Sequence, residues 1–392
     1  MTSGKAERAP SADRPTIYDV ARRAAVCPAT VSNVLRGVST VGSENVRRVA
    51  EAVSALGYRR DPLAANLRRN RRALIGLIVP DFKNPFFGSL IAAIEKLADA
   101  QGYRLVAVSS HDDGAAEARQ VEALIDWRVA GIIIVPSGAS VAGESALLAD
   151  SVPTVVLDRV ERGGPFDSVG VENAQSCGAM VRRFYDAGHR HLLVVVSTLA
   201  LSNMRARLEG IQAAAHAMPE PIHIEILRSG LDIESATRAM AVRFDAGPAP
   251  TAIFALFIQA TLAALREIAR RDLTLPNDIS LAGFDDFEWM QVMHPPVAAV
   301  VQPVEALAAR AFARLAELIE RPGQRPVFDE LACDLAFRGS IAAPKPSVER
   351  PNTLSKPAPV ALAGLSAKKP TKMGGLEEVK AAVTAAKSRR NK

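Results

Sequence analysis

The sequence predicts two architectures in one chain: an N-terminal all-α headpiece carrying a helix-turn-helix, followed by an α/β core of two doubly wound lobes. Three observations carry this expectation. Between residues 16 and 56 apolar residues recur at helical spacing in three short blocks parted by turn residues. From about residue 73 the texture becomes continuous Val/Ile/Leu runs alternating with helical segments, and the alternation restarts near residue 174. Charge divides along the same lines. Residues 1–72 hold 14 Lys+Arg against 6 Asp+Glu, residues 343–392 hold 11 against 3, and the middle holds 23 against 33. Basic ends on an acidic body imply that the ends meet a polyanion.

Residues 1–14 are polar and proline-bearing, and are expected to be disordered. In Thr16-Ile17-Tyr18-Asp19 the threonine can cap a helix while Asp19 reaches back, and Ile17, Val20, Ala21 and Ala24 form its apolar face. After Ala25-Val26-Cys27, Pro28 opens a second helix whose buried face is Val31, Val34 and Leu35. Ala29, Thr30 and Asn33 lie opposite, so this second helix suits the major groove, with Asn33 the best base reader. Ser43 is expected to cap a third helix with a stripe of Val46, Val49, Ala50, Val53 and Leu56, ended by Gly57 in a left-handed conformation. Asp61-Pro62 starts a fourth helix through Leu67, too short to hold alone in water.

In the core, strands are expected at Ala73 to Val79, Arg104 to Val108, Gly131 to Val135 and Pro153 to Leu157, with helices from about Pro85 to Ala100 and Ala115 to Arg128. The second series has strands at His191 to Val196, Ile222 to Leu227, Thr251 to Leu256 and Ile279 to Phe284. Its helices lie near Ala174 to Ala187, Met204 to Ala217, Ile233 to Asp245 and Gln259 to Arg271. Such apolar runs are buried on both faces, which calls for a parallel sheet with helices on each side. From about Pro344 the chain turns rich in Pro, Ala and Lys, a basic tail expected to be disordered that either touches DNA non-specifically or does nothing.

Thr16-Ile17-Tyr18-Asp19-Val20-Ala21, Ala29-Thr30-Val31-Ser32-Asn33-Val34-Leu35 and Gly57-Tyr58 resemble the signature of the LacI/GalR family of bacterial transcriptional regulators, and the likeness extends over roughly residues 16 to 342. The resemblance implies a periplasmic-binding-protein-like core and a homodimer whose paired headpieces read a pseudo-palindromic double-stranded operator. It places Thr16, Tyr18, Pro28, Ala29, Thr30, Ser32, Asn33, Arg36, Tyr58, Asn66 and Leu67 on DNA. Leu67 matches a leucine that the family wedges between base steps in the minor groove, a way to kink DNA. The implied organisation is a headpiece over 15–60, a hinge helix and linker over 61–72, a bilobed core over 73–342 and the tail over 343–392. The first lobe spans about 73–172 and 302–331, the second about 173–301 and 332–342. The strand near Val297 to Gln302 and the helix Val304 to Glu320 lead back to the first lobe, and Cys333 to Ile341 to the second. Two positions depart from the family pattern. Ala25 stands where glycine or asparagine is usual, and Cys27 stands where a serine would cap the recognition helix, each a loss of about 1 kcal/mol.

Ligands of doubly wound sheets bind beyond the carboxyl ends of strands. The resemblance brings Phe86, Phe87, Asp158, Arg159, Arg207, Phe257 and Asp285 to such a place between the lobes, around a sugar or sugar derivative. A plainer reading stands beside each: Phe86 and Phe87 as core, Arg207 as a helix ion pair, Asp285 and Asp286 as helix caps. Phe257-Ile258 replaces the usual Asn-Asp and Leu231 a frequent aromatic, so either the ligand is less hydroxylated than a free hexose or the pocket is vestigial. No Walker loop, G-x-S-x-G elbow or G-x-G-x-x-G after a strand occurs, and no catalytic, cofactor or metal residue is assigned. Cys27, Cys177 and Cys333 are odd in number and far apart, against a disulfide framework. Without a long apolar run or signal-like N-terminus the chain reads as cytoplasmic, and the resemblance implies a homodimer acting on the nucleoid. The expectation is an effector-modulated DNA-binding regulator, a repressor; the rivals are a nucleoid-type binder with a dead pocket and a periplasmic-type solute-binding protein.

Overall fold

The computed structural model describes residues 15–35, 37–38, 40–58 and 74–345. The expected disordered N-terminus, the hinge with Asn66 and Leu67, Arg36, and the tail beyond Lys345 lie outside them.

Three helices form the headpiece: α1 (Ile17–Ala24), α2 (Pro28–Leu35) and α3 (Ser43–Leu56). The capping box closes as expected: Thr16 N and Oγ1 both donate to Asp19 Oδ2, at 2.9 and 2.6 Å, and Asp19 N donates back to Thr16 Oγ1. These bonds hold the Asp19 carboxyl below its ordinary range. Ala25 is left-handed at φ 48° and ψ 48°, the conformation its position demanded. α3 corrects two expectations. Its N-cap is Gly42, with no side-chain cap bond, so Ser43 is the first helical residue. Its buried line runs through Val49 and Ala52, while Val46 is 41% exposed and Ala50 also faces out. A headpiece this small buries a narrow stripe, and the smaller alanine on the inward side lets the helices approach.

The core is two six-stranded sheets. The first comprises β1 (Leu74–Val79), β2 (Arg104–Ser109), β3 (Gly131–Ile134), β4 (Thr154–Leu157), β5 (Asp167–Val171) and, from the far end of the chain, β11 (Phe328–Leu331), in the order β11-β5-β4-β3-β1-β2. The second comprises β6 (His191–Val196), β7 (His223–Arg228), β8 (Ala252–Ala255), β9 (Ser280–Phe284), β10 (Ala298–Val301) and β12 (Asp334–Ala336), in the order β12-β10-β9-β8-β6-β7. Every pairing is parallel except β10 with β12, so the expected all-parallel sheet is mixed at one edge. β10 pairs with β9 in the second sheet, so the strand does not lead back to the first lobe with the helix that follows it.

The helices cover both faces: α4 (Pro85–Ala100), α5 (Gly114–Asp126), α6 (Glu144–Ala149), α7 (Asn173–Asp186), α8 (Ser202–His216), α9 (Ile233–Asp245), α10 (Ile258–Arg270), the short α11 (Glu288–Val292) and α12 (Val304–Glu320). α12 packs against α4 and β3 to β5 in the first lobe. A close approach at Gly210 sets the α7–α8 contact: a Cβ there would stand 2.0 Å from the Ala174 carbonyl oxygen. β1, β3, β4 and β6 are buried almost without break, as strands covered on both faces should be.

The Arg338-Gly339-Ser340 segment ties the end of the second lobe. Ser340 Oγ donates to Leu281 O and accepts from Ala298 N, while Arg338 grips both oxygens of Asp286 at 2.7 Å. Asp286 is therefore spent on Arg338, and neither it nor Asp285 caps α11, whose N-cap is Phe287. His189 follows the left-handed Gly188 at the end of α7, as a helix stop, and is buried. Its ring lies 3.0 Å from Thr251 Oγ1 on one side and 3.0 Å from Ser280 Oγ and Ala342 O on the other. His191 instead meets Glu225 at 3.0 Å.

Candidate functional site

Two places collect the residues singled out in the sequence. The first is the second helix of the headpiece. Pro28 sits at its start, and the Cys27 carbonyl accepts from Thr30 N and Val31 N. The Cys27 thiol lies 3.2 Å from the Thr30 hydroxyl, a contact that holds it below its ordinary pKa. Val31 is buried in the headpiece core, Ala29 is exposed, and Thr30, Ser32 and Asn33 are half-exposed beside it. Tyr18 is 63% exposed, unusual for an aromatic ring in so small a unit. Thr16 is exposed, but its hydroxyl is occupied by the capping box. Tyr58 packs against the headpiece core. Arg48 donates to Ala25 O at 3.1 Å, tying α3 to the turn.

The second is the cleft between the lobes, a cavity of about 80 Å³. All seven predicted residues line it: Phe86, Phe87, Asp158, Arg159, Arg207, Phe257 and Asp285. Each stands just past a strand or in the first turns of the helix that follows, where a doubly wound sheet places its ligand groups. Asn84 N-caps α4 by accepting from Phe86 N at 3.0 Å, which sets Phe86 and Phe87 edge to face with ring centroids 5.2 Å apart. The plainer reading holds for them in part, since both rings are buried in the core as well as bordering the cleft.

Asp158 and Asp285 occupy matching places, one past β4 and the other past β9, and both adopt positive φ, 64° and 72°. That region is sparsely used by side chains other than Asn and Asp. Asp158 accepts from Asn203 Nδ2 at 3.1 Å, a bond from the second lobe to the first. Asp285 accepts from Gln302 Nε2 at 2.6 Å. Burial pushes both carboxyls above their ordinary pKa, and the positive charge of Arg207 opposes the rise. Arg207 itself is buried: Nε donates to Asn173 Oδ1 at 2.8 Å, Nη1 to Leu256 O at 2.6 Å, and the guanidinium lies 3.3 Å over the Phe284 ring. It is no ordinary surface ion pair. Arg159 is held by Asp112 at 2.6 Å and by Pro136 O at 2.9 Å.

Matches to known proteins fall on the same two regions. Residues 16–61 match the profile of bacterial regulatory proteins of the lacI family, and residues 181–341 that of a periplasmic binding protein-like domain. The regulator PtxS of Pseudomonas plecoglossicida is 30% identical over 332 residues, covering 83% of this chain and 96% of the relative. The chain belongs to the LacI family. Another member, the repressor CytR of Escherichia coli, is 27% identical over 335 residues, 84% of this chain and 96% of its own. Among solved structures, a lac repressor dimer bound to operator and the anti-inducer ONPF superposes with a TM-score of 0.72 at 25% identity, covering 84% of this chain and all of that one. A CelR–cellobiose complex has the same fold, with a TM-score of 0.62 at 23% identity, covering 83% of this chain and all of that one. As a LacI-family member the protein is a DNA-binding transcriptional regulator with an effector-binding core.

Sequence reasoning did not single out Asp112, Asn203, Gln302 and Gln259, which also line the cleft. Asp112 and Gln302 lie in loops and Asn203 and Gln259 in the first turns of α8 and α10, and their signal is positional: each follows the carboxyl end of a strand. Gln259 bears on the Phe257-Ile258 departure. Ile258 is buried and does not line the cleft, and the polar side chain reaching it is one residue further on. Among the described residues no helix is long and apolar enough to cross a membrane.

Proposed function

We propose that this LacI-family regulator is a repressor that binds a pseudo-palindromic operator as a homodimer and changes its grip when a small effector occupies the cleft between the lobes. Asn33, with Pro28, Ala29, Thr30, Ser32 and Arg36, reads base edges in the major groove; Thr16, Tyr18, Tyr58 and Asn66 hold the backbone, and Leu67 wedges the minor groove. Phe86, Phe87, Asp158, Arg159, Arg207, Phe257 and Asp285 hold the effector. The lac repressor neighbour is a dimer on operator and the CelR neighbour holds cellobiose, which supports each part of the reading. Such a protein works in the cytoplasm, on the nucleoid, and performs no catalysis.

One observation carries the effector half: the cleft keeps buried polar atoms without a partner among the described residues, among them Asp158 Oδ1 and Gln302 Oε1. A vestigial pocket would be expected to close over apolar groups, because leaving a buried polar group unpaired costs about 1–3 kcal/mol each. That weighs against a nucleoid-type binder, which the basic tail and Phe257 would otherwise favour. The headpiece weighs against a periplasmic solute carrier.

The test is selection of bound fragments from a genomic library by the purified protein at near-physiological salt, followed by sequencing. A single pseudo-palindromic motif is expected, and Leu67→Ala should abolish its selection. Recovery of fragments sharing no motif would refute sequence-specific repression.

A further inference from the structure

The chemical class of the effector is written in the hydrogen-bond inventory of the cleft, an inference that rests on the cleft being the effector site. Four buried side-chain atoms there have no partner among the described residues: Asp158 Oδ1, Asn203 Oδ1, Gln302 Oε1 and Arg159 Nε. Three are acceptors and one is a donor. The amide orientations are fixed by their neighbours. Asn203 gives its NH2 to Asp158 and Gln302 gives its NH2 to Asp285, and a carboxylate can only accept, so each amide must turn its oxygen elsewhere. The same acid–amide device thus appears twice, and both copies leave an acceptor to be satisfied.

Charge points the same way. Asp81, Asp112, Asp158 and Asp285 line the cleft against Arg159 and Arg207, a formal balance of −2. Arg159 is engaged by Asp112, which leaves Arg207 facing the buried Asp158 and Asp285. A phosphate or carboxylate would add negative charge to this balance and bring more acceptors to a place short of donors. The second-lobe wall adds a third constraint: Leu201, Met204, Leu231 and Phe257 are apolar and border the same cavity.

We infer that the effector carries no acidic group, presents at least three O–H or N–H donors to Asp158, Asn203 and Gln302, and has an apolar part against Leu231 and Phe257: an uncharged glycoside or nucleoside rather than a sugar phosphate or sugar acid. Asn203 and Gln302 become specificity-determining residues. Each acts through an oxygen whose direction is set by the aspartate beside it.

The experiment uses the full-length protein with matched pairs: neutral glycosides and nucleosides, each beside its own phosphate ester or uronic acid, measured by thermal shift and then calorimetry. The expected result is a neutral compound that binds, with its acidic twin at least about 100-fold weaker, since isolated charge is poorly tolerated in such a site. An acidic twin that binds as well or better overturns the inference while leaving the cleft an effector site. Silence from every pair, in protein that still selects its operator, overturns both. For the responding compound, Asn203→Leu and Gln302→Leu should each weaken binding by about 10- to 100-fold. An analogue lacking the paired hydroxyl should lose much less. Equal losses for both compounds, with unchanged urea midpoints, would rule out recognition through these amides.

Discussion

Replacing Arg207 by methionine keeps most of the side-chain length over the Phe284 ring and removes the charge. In the native fold that charge opposes the burial of Asp158 and Asp285, and two of its N–H groups are bonded to Asn173 Oδ1 and Leu256 O. Removing one partner from a buried charge cluster costs about 3–5 kcal/mol. At an m-value of about 3 kcal/mol per molar urea, the core's unfolding midpoint should fall by about 1–1.7 M at neutral pH. The carboxyls can escape this penalty by taking up protons, which gives the prediction its pH signature. Both native pKa values already lie above the ordinary carboxylate value of about 3.9, so the native state holds protons more tightly than the unfolded chain. Stability from these groups is therefore highest below that ordinary value and falls as pH rises through the raised native values. Arg207→Met lifts those values further, so its deficit against the parent should be small near pH 4 and widen toward pH 7. Urea titrations followed by far-ultraviolet circular dichroism at several pH values measure both quantities. A deficit that is the same at every pH would show that Arg207 acts through its hydrogen bonds and packing and not as the counter-charge of the two aspartates.

Three further outcomes are expected. Gly210→Ala places a methyl group 2.0 Å from the Ala174 carbonyl oxygen, which forces α7 and α8 apart; the second lobe should lose about 3 kcal/mol or more, read from the urea midpoint. Ala25→Gly removes the left-handed strain at φ 48° and should stabilise the headpiece by up to about 1 kcal/mol, seen as slower amide exchange in α1 to α3; faster exchange would contradict the strain. Deleting residues 346–392, which carry most of the tail's basic excess, should flatten the dependence of log Kd on log salt for non-specific DNA if the tail neutralises phosphates, and an identical slope would retire that role.

The elements that the sequence made legible are strands with nearly unbroken apolar runs, such as β1 and β6, and helices with an apolar stripe at helical spacing, such as α12. β5 was missed because it reads Asp-Ser-Val-Gly-Val, and a charged residue argues against a buried strand. Here the charge is satisfied: Asp167 is paired with Arg314 at 2.7 Å and accepts from Val327 N at 2.6 Å. Its neighbour β11 carries Asp329 and Glu330 and lies at the sheet edge, so periodicity gave no signal there either. In the site, Arg207 and Asp285 could be found because they sit in recognisable local motifs. Asn203 and Gln302 could not, because their importance lies in facing Asp158 and Asp285 across 45 and 17 residues of sequence. Local pattern cannot report such pairings. The stripe of α3 failed by a smaller margin: Val46 and Ala50 fit the helical period, yet the turn of the helix puts Ala52 inside instead.

The polar bonds across the cleft bound how strongly an effector can act. Asn203 of the second lobe bonds Asp158 of the first, and Arg205 pairs with Glu161 across the mouth. The second pair is partly exposed and worth at most about 1 kcal/mol; the first, buried and charge-assisted, about 1.5–3 kcal/mol. These two bonds add a few kcal/mol to the hold between the lobes, an amount one ligand can offset. A molecule touching one lobe alone would bind open and closed forms equally and change nothing. One that reaches from Asp158 to Asp285 makes contacts available only when the lobes are close. Satisfying the three acceptors that lack a partner among the described residues would supply a differential of the same size as typical allosteric coupling, about 1–3 kcal/mol. On the proposed reading, the acid–amide pairs that select the effector are also the groups that convert its presence into a change of lobe angle.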